Sequence, residues 1–135
     1  MSESGDIAEL LNMPESEDDL ISVFRSMCPR AHTAFIEQIP KFAGENRSAA
    51  FMAVLFGNYK FCCASVLMHG GTRLIQMTPL KWMNVLIPQK DRSRDRSERK
   101  RQLCVEAKKR WPNSRITLQN CDAPLIAFAG SLLSS

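Results

Sequence analysis

The sequence has few of the residues that catalytic sites most often use. It contains two histidines, His32 and His69, and neither belongs to a recognised catalytic motif. Neither the G-x-S-x-G motif of serine hydrolases nor a P-loop occurs. The two glycines after His69 are typical of a turn between two apolar runs. We therefore expect a protein that is not an enzyme.

The cysteines are too few and too irregularly spaced for a disulfide framework. There are five, an odd number, and such a set is simplest to interpret as reduced thiols in a cytoplasmic compartment, or a nuclear one in a eukaryotic or viral setting. They also lack the paired spacing of a zinc site. Pro29 interrupts the helical register that would bring Cys28 and His32 together. Cys62 and Cys63 are adjacent, and in a strand they point to opposite faces, so they cannot easily bind one ion. We predict no metal and no cofactor.

Acidic residues are absent from the middle of the chain, and this makes the charge distribution more informative than the net charge of +4. Residues 1–45 carry a net charge of −6, residues 46–87 carry +4 without any acid, and residues 88–115 carry +7. With 135 residues, 44% of them apolar, the composition suits one domain and excludes a largely disordered chain. A dipolar chain of this kind indicates a charged partner.

The longest apolar run, residues 49–68, is long enough to cross a bilayer. Gly57, Asn58 and Lys60 lie at its middle, where a bilayer penalises polar groups most. The N-terminus also lacks the basic and apolar regions of a secretory signal. The sequence therefore predicts no membrane partner.

The first half of the chain has a helical pattern. Residues 1–15 are predicted as a flexible acidic arm, and residues 16–135 as one globular domain with a basic loop at 88–96. Ser16 and Asp19 form a capping box that opens a helix to about residue 28. Apolar periodicity predicts a second helix over residues 31–39 and a third over residues 47–56, capped by Asn46.

The second half has a mixed pattern. Residues 59–68, 73–77 and 82–87 are predicted as a small antiparallel meander, with a helix as the alternative for the first and third. A helix over residues 96–111, a strand over 115–119 and a short helix over 124–133 follow. The predicted fold class is α+β, with N-terminal helices, the meander, a basic helix and a C-terminal strand and helix; the alternative is an all-α bundle.

One segment has the composition of a binding site for a polyanion. Ten bases fall within 21 residues and outnumber the nearby acids, so they can neutralise phosphates and release counterions. We expect a regulatory or accessory protein that binds DNA or RNA; the alternative is an adaptor or inhibitor that binds an acidic protein. Seven methionines and an apolar C-terminal tail favour a homo-oligomer. The predicted contact residues are Lys90, Arg92, Arg94, Arg96, Arg99, Lys100, Arg101, Lys108, Lys109 and Arg110.

Overall fold

The computed structural model describes residues 1, 5–39 and 48–134. Its contacts divide the chain into two compact units. We call Pro14–Pro79 the sheet unit, and Met1–Met13 together with Leu80–Ser135 the helical unit. Within the described residues there are five α-helices and one two-stranded sheet, so the fold is mixed α+β with a helical majority.

The sheet unit begins with helix α1 (Glu17–Met27). The Oγ of Ser16 accepts a hydrogen bond from the backbone N–H of Asp19 at 3.1 Å, and the first turn carries three carboxylates that the helix dipole favours. The predicted start of the helix at Ser16 is thus confirmed, with Ser16 as its N-cap. A single 3-10 turn, Cys28–Arg30, then leads into strand β1 (Thr33–Glu37).

A βαβ arrangement forms the centre of this unit. Strand β1 pairs in parallel with β2 (Arg73–Met77), with Thr33 opposite Arg73, and helix α2 (Ala49–Met68) connects the two strands. Parallel strands require a long crossover, which this helix supplies. The predicted antiparallel meander is therefore wrong: β2 forms as predicted, but its partner is parallel.

Two further predictions for this unit are corrected. Residues 31–39 contain β1 instead of a helix, because the segment gains its hydrogen bonds from a strand about 40 residues later. Residues 59–68 continue α2 instead of forming a strand; the helix passes through Gly57, which costs only about 1 kcal/mol in a helix interior. The predicted cap at Asn46 lies outside the described residues, and the Oγ of Ser48 caps α2 by accepting from the Phe51 N–H at 3.1 Å.

The helical unit contains α3 (Pro79–Leu86) from its second residue onward, α4 (Arg96–Arg110) and α5 (Asp122–Ser134). The helices predicted over residues 96–111 and 124–133 are confirmed. Residues 82–87 were expected as a strand but belong mostly to α3, because a proline at the first helical position is preorganised to start a helix.

The strand predicted over residues 115–119 is wrong. The side chain of Asn120 holds this segment as a turn, accepting from the Thr117 N–H at 2.8 Å and donating to the Arg115 carbonyl at 3.1 Å. Alternation of Ile116 and Leu118 suggested a strand, but only Ile116 is buried, and Leu118 is 48% exposed. The polar side chain thus satisfies the backbone groups that a neighbouring strand would otherwise need to bind.

The core of the helical unit forms where α4 meets α5. Leu103 and Ala107 are buried along the predicted inward stripe of α4, and Leu125 of α5 is fully buried. Trp111 follows α4 and meets Phe128 edge-on, with the ring centroids 6.3 Å apart. This packing leaves the remaining faces of α4 exposed to solvent.

One helix, α2, is long and apolar enough to cross a membrane by the criteria of length and composition. Within its most apolar 18-residue window, 17% of the residues are buried. Over the whole 20-residue helix, four residues are buried: Tyr59, Cys62, Cys63 and Val66.

Candidate nucleic-acid interface

The segment before α4 is attached to that helix by three polar contacts. The Oδ2 of Asp95 accepts from the Glu98 N–H at 2.9 Å and so caps the helix N-terminus. The side chain of Gln102 accepts from the Ser93 N–H at 2.8 Å and donates to the Asp91 carbonyl at 3.0 Å. The predicted basic loop is therefore held against the helix, and the bases of both lie on one continuous segment.

Two of the ten predicted contact residues hold this region together. The guanidinium of Arg92 donates to the Oδ1 of Asn84 at 2.8 Å and to the Ile87 carbonyl at 3.1 Å, which joins the loop to α3. The ammonium of Lys100 lies 2.6 Å from the Oδ2 of Asp122 and joins α4 to the start of α5. Both bases can leave these partners for a phosphate only at a cost in internal contacts.

Two more bases have weaker internal partners. The guanidinium of Arg99 lies 3.4 Å from the carbonyl oxygen of Arg94, a long hydrogen bond. The guanidinium of Arg110 lies over the ring of Phe128, 4.2 Å from its centroid, in a cation–π contact. A stacked guanidinium keeps its N–H groups at the edge of its plane, so Arg110 retains donors for a ligand.

Two bases form ion pairs along the exposed side of α4. Arg101 lies 3.1 Å from Glu98, and Lys109 lies 3.6 Å from Glu106, each at a spacing of three residues. Surface pairs of this kind are worth less than about 1 kcal/mol. Either base can therefore exchange its carboxylate for a phosphate at small cost.

The other four bases are exposed, and no carboxylate within the described residues lies at ion-pair distance from them. They occur at both ends of α4. A 15-residue helix is about 22 Å long, so the two ends present positive charge roughly 20 Å apart. We call this set the unpaired bases: Lys90, Arg94, Arg96 and Lys108.

The acids of the segment gather at one groove beside the bases. A cavity of about 410 Å³ opens between α4 and the chain that follows α3, with Leu86, Ile87 and Val105 among its apolar lining. Three of the four carboxylates of residues 88–115 also line it: Asp91, Glu98 and Glu106. Carboxylates therefore lie among the bases along this groove, which Arg101 also lines.

The two histidines lie at a second cavity, in the sheet unit. His32 and His69 line a space of about 390 Å³ that Cys28 also borders. Burial raises the pKa of the Cys28 thiol, which keeps it protonated and a poor metal ligand. Throughout residues 1, 5–39 and 48–134, no group of three histidine, cysteine or acidic side chains is arranged to hold a metal ion.

All five cysteines are buried and unbridged. Burial raises the pKa of Cys62, and burial together with the nearby Asp122 carboxylate raises that of Cys121 to about 12. A raised pKa leaves less of the thiolate, the reactive form, at Cys62 and Cys121.

Charge density identified the basic segment, but it could not separate structural bases from available ones. The signal for Lys100 was its place near the apolar stripe of α4; its partner, Asp122, is 22 residues away. Nothing in the sequence marked Arg92 as a structural base.

No known family model matches the chain, and no curated protein resembles it significantly.

Proposed function

We propose that this protein binds nucleic acid, without catalysis, through the bases of residues 90–110, in an accessory or regulatory role. The observation that carries the proposal is the set of unpaired bases at the two ends of α4. Exposed bases without carboxylate partners are available to neutralise phosphates, and each phosphate neutralised releases cations that had condensed on the nucleic acid. Such binding gains affinity without reading sequence.

The internal contacts rank the ten residues. The unpaired bases are the primary contacts. Arg101 and Lys109 also contact phosphates after leaving their carboxylates, and Arg110 does so while it stays stacked on Phe128. Arg92 and Lys100 position the segment through their hydrogen bonds to α3 and α5. Arg99 is half-buried and contributes mainly to the order of the loop.

A second candidate function is an adaptor or inhibitor that binds an acidic protein. The groove lined by Asp91, Glu98 and Glu106 favours it, since carboxylates between the two basic ends repel a continuous row of phosphates. A folded protein can instead match alternating charges across its surface. Both candidates use the same unpaired bases.

The experiment that separates them is affinity capture from a lysate with and without nuclease. The tagged chain is washed at low salt, its ratio of absorbance at 260 and 280 nm is recorded, and the bound material is digested. We expect nucleic acid to co-purify and the associated proteins to be released by the nuclease. An acidic protein that stays bound after digestion, with no absorbance from nucleic acid, would instead support the adaptor.

A matched control uses the unpaired bases. Replacing Arg94, Arg96 and Lys108 by alanine should lower the ratio of absorbance at 260 and 280 nm toward that of protein alone in the same capture. Replacing Arg25, Arg73 and Lys81, which are also exposed, removes the same net charge elsewhere and should leave it unchanged. Equal loss in both variants would mean that net charge alone, and not this segment, retains the nucleic acid.

A further inference from the structure

Helix α2 presents an apolar surface that its own unit does not cover. Its four buried residues share one face, and the opposite face carries six residues spaced alternately four and three apart. That spacing keeps them within about 40° of a single line along the helix, about 170° from the buried face. We call them the exposed stripe: Ala50, Val54, Gly57, Phe61, Ala64 and Met68.

The exposed stripe is accessible along its length. Val54 is 64% exposed and Met68 84%, Phe61 is half-buried, and the three small residues are exposed. The stripe carries no charge, and the single base of the helix, Lys60, lies about 80° to one side. An uncharged surface of this kind fits neither nucleic acid nor a charged peptide.

Nothing in the described part of the chain explains the glycine at position 57. It lies inside a helix, where glycine costs about 1 kcal/mol relative to alanine, and its φ is not positive. A Cβ at this position would meet nothing within 4 Å. A missing side chain in open space, on the most exposed line of the helix, suits the close approach of another helix from outside.

The stripe is complementary to itself. Small and large residues alternate along it, so an antiparallel copy centred on Tyr59 places a large residue opposite each small one. The facing pairs are Gly57 with Phe61, Ala64 with Val54, and Ala50 with Met68. The alternating spacings of four and three residues are those of the seam between two packed helices in a coiled coil.

We propose that α2 forms an antiparallel homodimer through the exposed stripe. A 20-residue helix is about 30 Å long, and two such helices in contact along their length bury on the order of 1,000 Å² in total. That area lies at the lower limit for a specific interface, so the dimer is weak, with a dissociation constant in the micromolar range. The inference is independent of the proposed function, since the stripe lies in the sheet unit.

A bilayer is the other occupant with the right chemistry, but the structure favours a second copy. Binding to lipid does not require small and large side chains to alternate. One face of α2 is also buried within the protein already, through Tyr59, Cys62, Cys63 and Val66. Lipid binding depends on exposed apolar area, whichever side of the helix it occupies. A dimer therefore depends on the residues of the exposed stripe, whereas lipid binding depends on any exposed apolar residue of the helix.

The test is sedimentation equilibrium of the full chain from about 5 to 200 µM, a range that spans micromolar association. Two residues of α2 give a matched pair, since Val54 is 64% exposed and Leu67 is 65% exposed but lies about 100° away from the stripe. We expect a dimer for the unmodified chain, at least tenfold weaker association for Val54→Lys, and no change for Leu67→Lys. A monomer throughout this range overturns the proposal, as does equal weakening by both variants.

A second pair of variants tests the antiparallel register at the contact between Gly57 and Phe61 of the partner subunit. Gly57→Phe enters open space, favours the helix and should weaken association by meeting Phe61 of the partner subunit. Adding Phe61→Ala to Gly57→Phe restores one small and one large residue at the same contact and should restore the dimer. Failure of that rescue, with both variants folded by circular dichroism, contradicts the register. Co-sedimentation of monomeric chain with phosphatidylcholine vesicles would assign the helix to lipid and overturn the dimer.

Discussion

The ammonium of Lys100 lies 2.6 Å from the carboxylate of Asp122, and this contact links the basic helix α4 to α5. Lys100 is thus a structural base inside a segment that its charge density marks for binding. Lys100→Ala should lower the free energy of unfolding by about 1 kcal/mol, since the pair is only partly exposed. It should leave the affinity for nucleic acid nearly unchanged. Chemical denaturation and fluorescence anisotropy of the same sample provide both values.

The reverse pattern is expected for Lys108, which provides the control. Lys108→Ala should leave the free energy of unfolding within about 0.5 kcal/mol of the unmodified chain, as exposed substitutions usually do. The same change should flatten the slope of log affinity against log salt by about 0.9, the contribution of one phosphate contact. If Lys100→Ala weakened binding more than Lys108→Ala, the division between structural and unpaired bases would be wrong.

The two faces of α4 should differ sharply in their tolerance of truncation. Leu103 is 2% exposed, so Leu103→Ala should cost about 2 to 5 kcal/mol through the cavity it leaves. Val105, two residues away, is 51% exposed, and Val105→Ala should cost less than about 0.5 kcal/mol. Thermal and urea unfolding measure both. Similar costs at the two positions would contradict the orientation of the helix.

Thr72 is the buried polar residue whose hydroxyl fixes the start of the sheet. Its Oγ1 donates to the Cys28 carbonyl at 2.8 Å and lies 3.1 Å from the Ala31 carbonyl. Thr72→Val keeps the shape and removes the donor, which should cost about 1 to 3 kcal/mol, whereas Thr72→Ser keeps the hydroxyl and should cost less. Urea denaturation tests the order, and equal costs would show that the methyl group contributes as much as the hydroxyl.

Stability should fall at high pH partly because of Cys121. Burial, and secondarily the Asp122 carboxylate, raise the pKa of its thiol from 9.0 to about 12, partly opposed by Lys100. A pKa raised on folding stabilises the folded state fully below the unfolded value, and that stabilisation is lost as the pH rises from about 9 to 12. Between pH 8 and about 11, the free energy of unfolding should therefore fall less for the Cys121→Ala variant than for the unmodified chain, as measured by urea denaturation. Parallel curves would exclude a contribution from this thiol.

The parts of the fold that local sequence controls were predictable. Ser16 and Asp19 mark the start of α1 by their own side chains, and the spacing of Leu103 and Ala107 gave the inward face of α4. Strand β1 was missed because its pattern over residues 31–39 also fits a helix, and only pairing with Arg73–Met77 decides between the two. Tertiary contacts of this kind leave no local signal.

The candidate site shows the same limit. The density of bases over residues 90–110 is visible in the sequence, but the groups to which some of these bases bind within the protein are not. Arg92 binds Asn84 and the Ile87 carbonyl, and Lys100 binds Asp122 across 22 residues. Charge density therefore indicated the candidate segment, and the fold decides which of its bases have internal partners.

The most direct test of the account is the salt dependence of binding to a labelled duplex. The slope of log affinity against log salt, measured by fluorescence anisotropy, should flatten by about 2 to 3 units when Arg94, Arg96 and Lys108 become alanine, since each phosphate contact contributes about 0.9. The matched variant of Arg25, Arg73 and Lys81 should keep the slope of the unmodified chain. An unchanged slope in the folded variant of Arg94, Arg96 and Lys108 would contradict binding through α4.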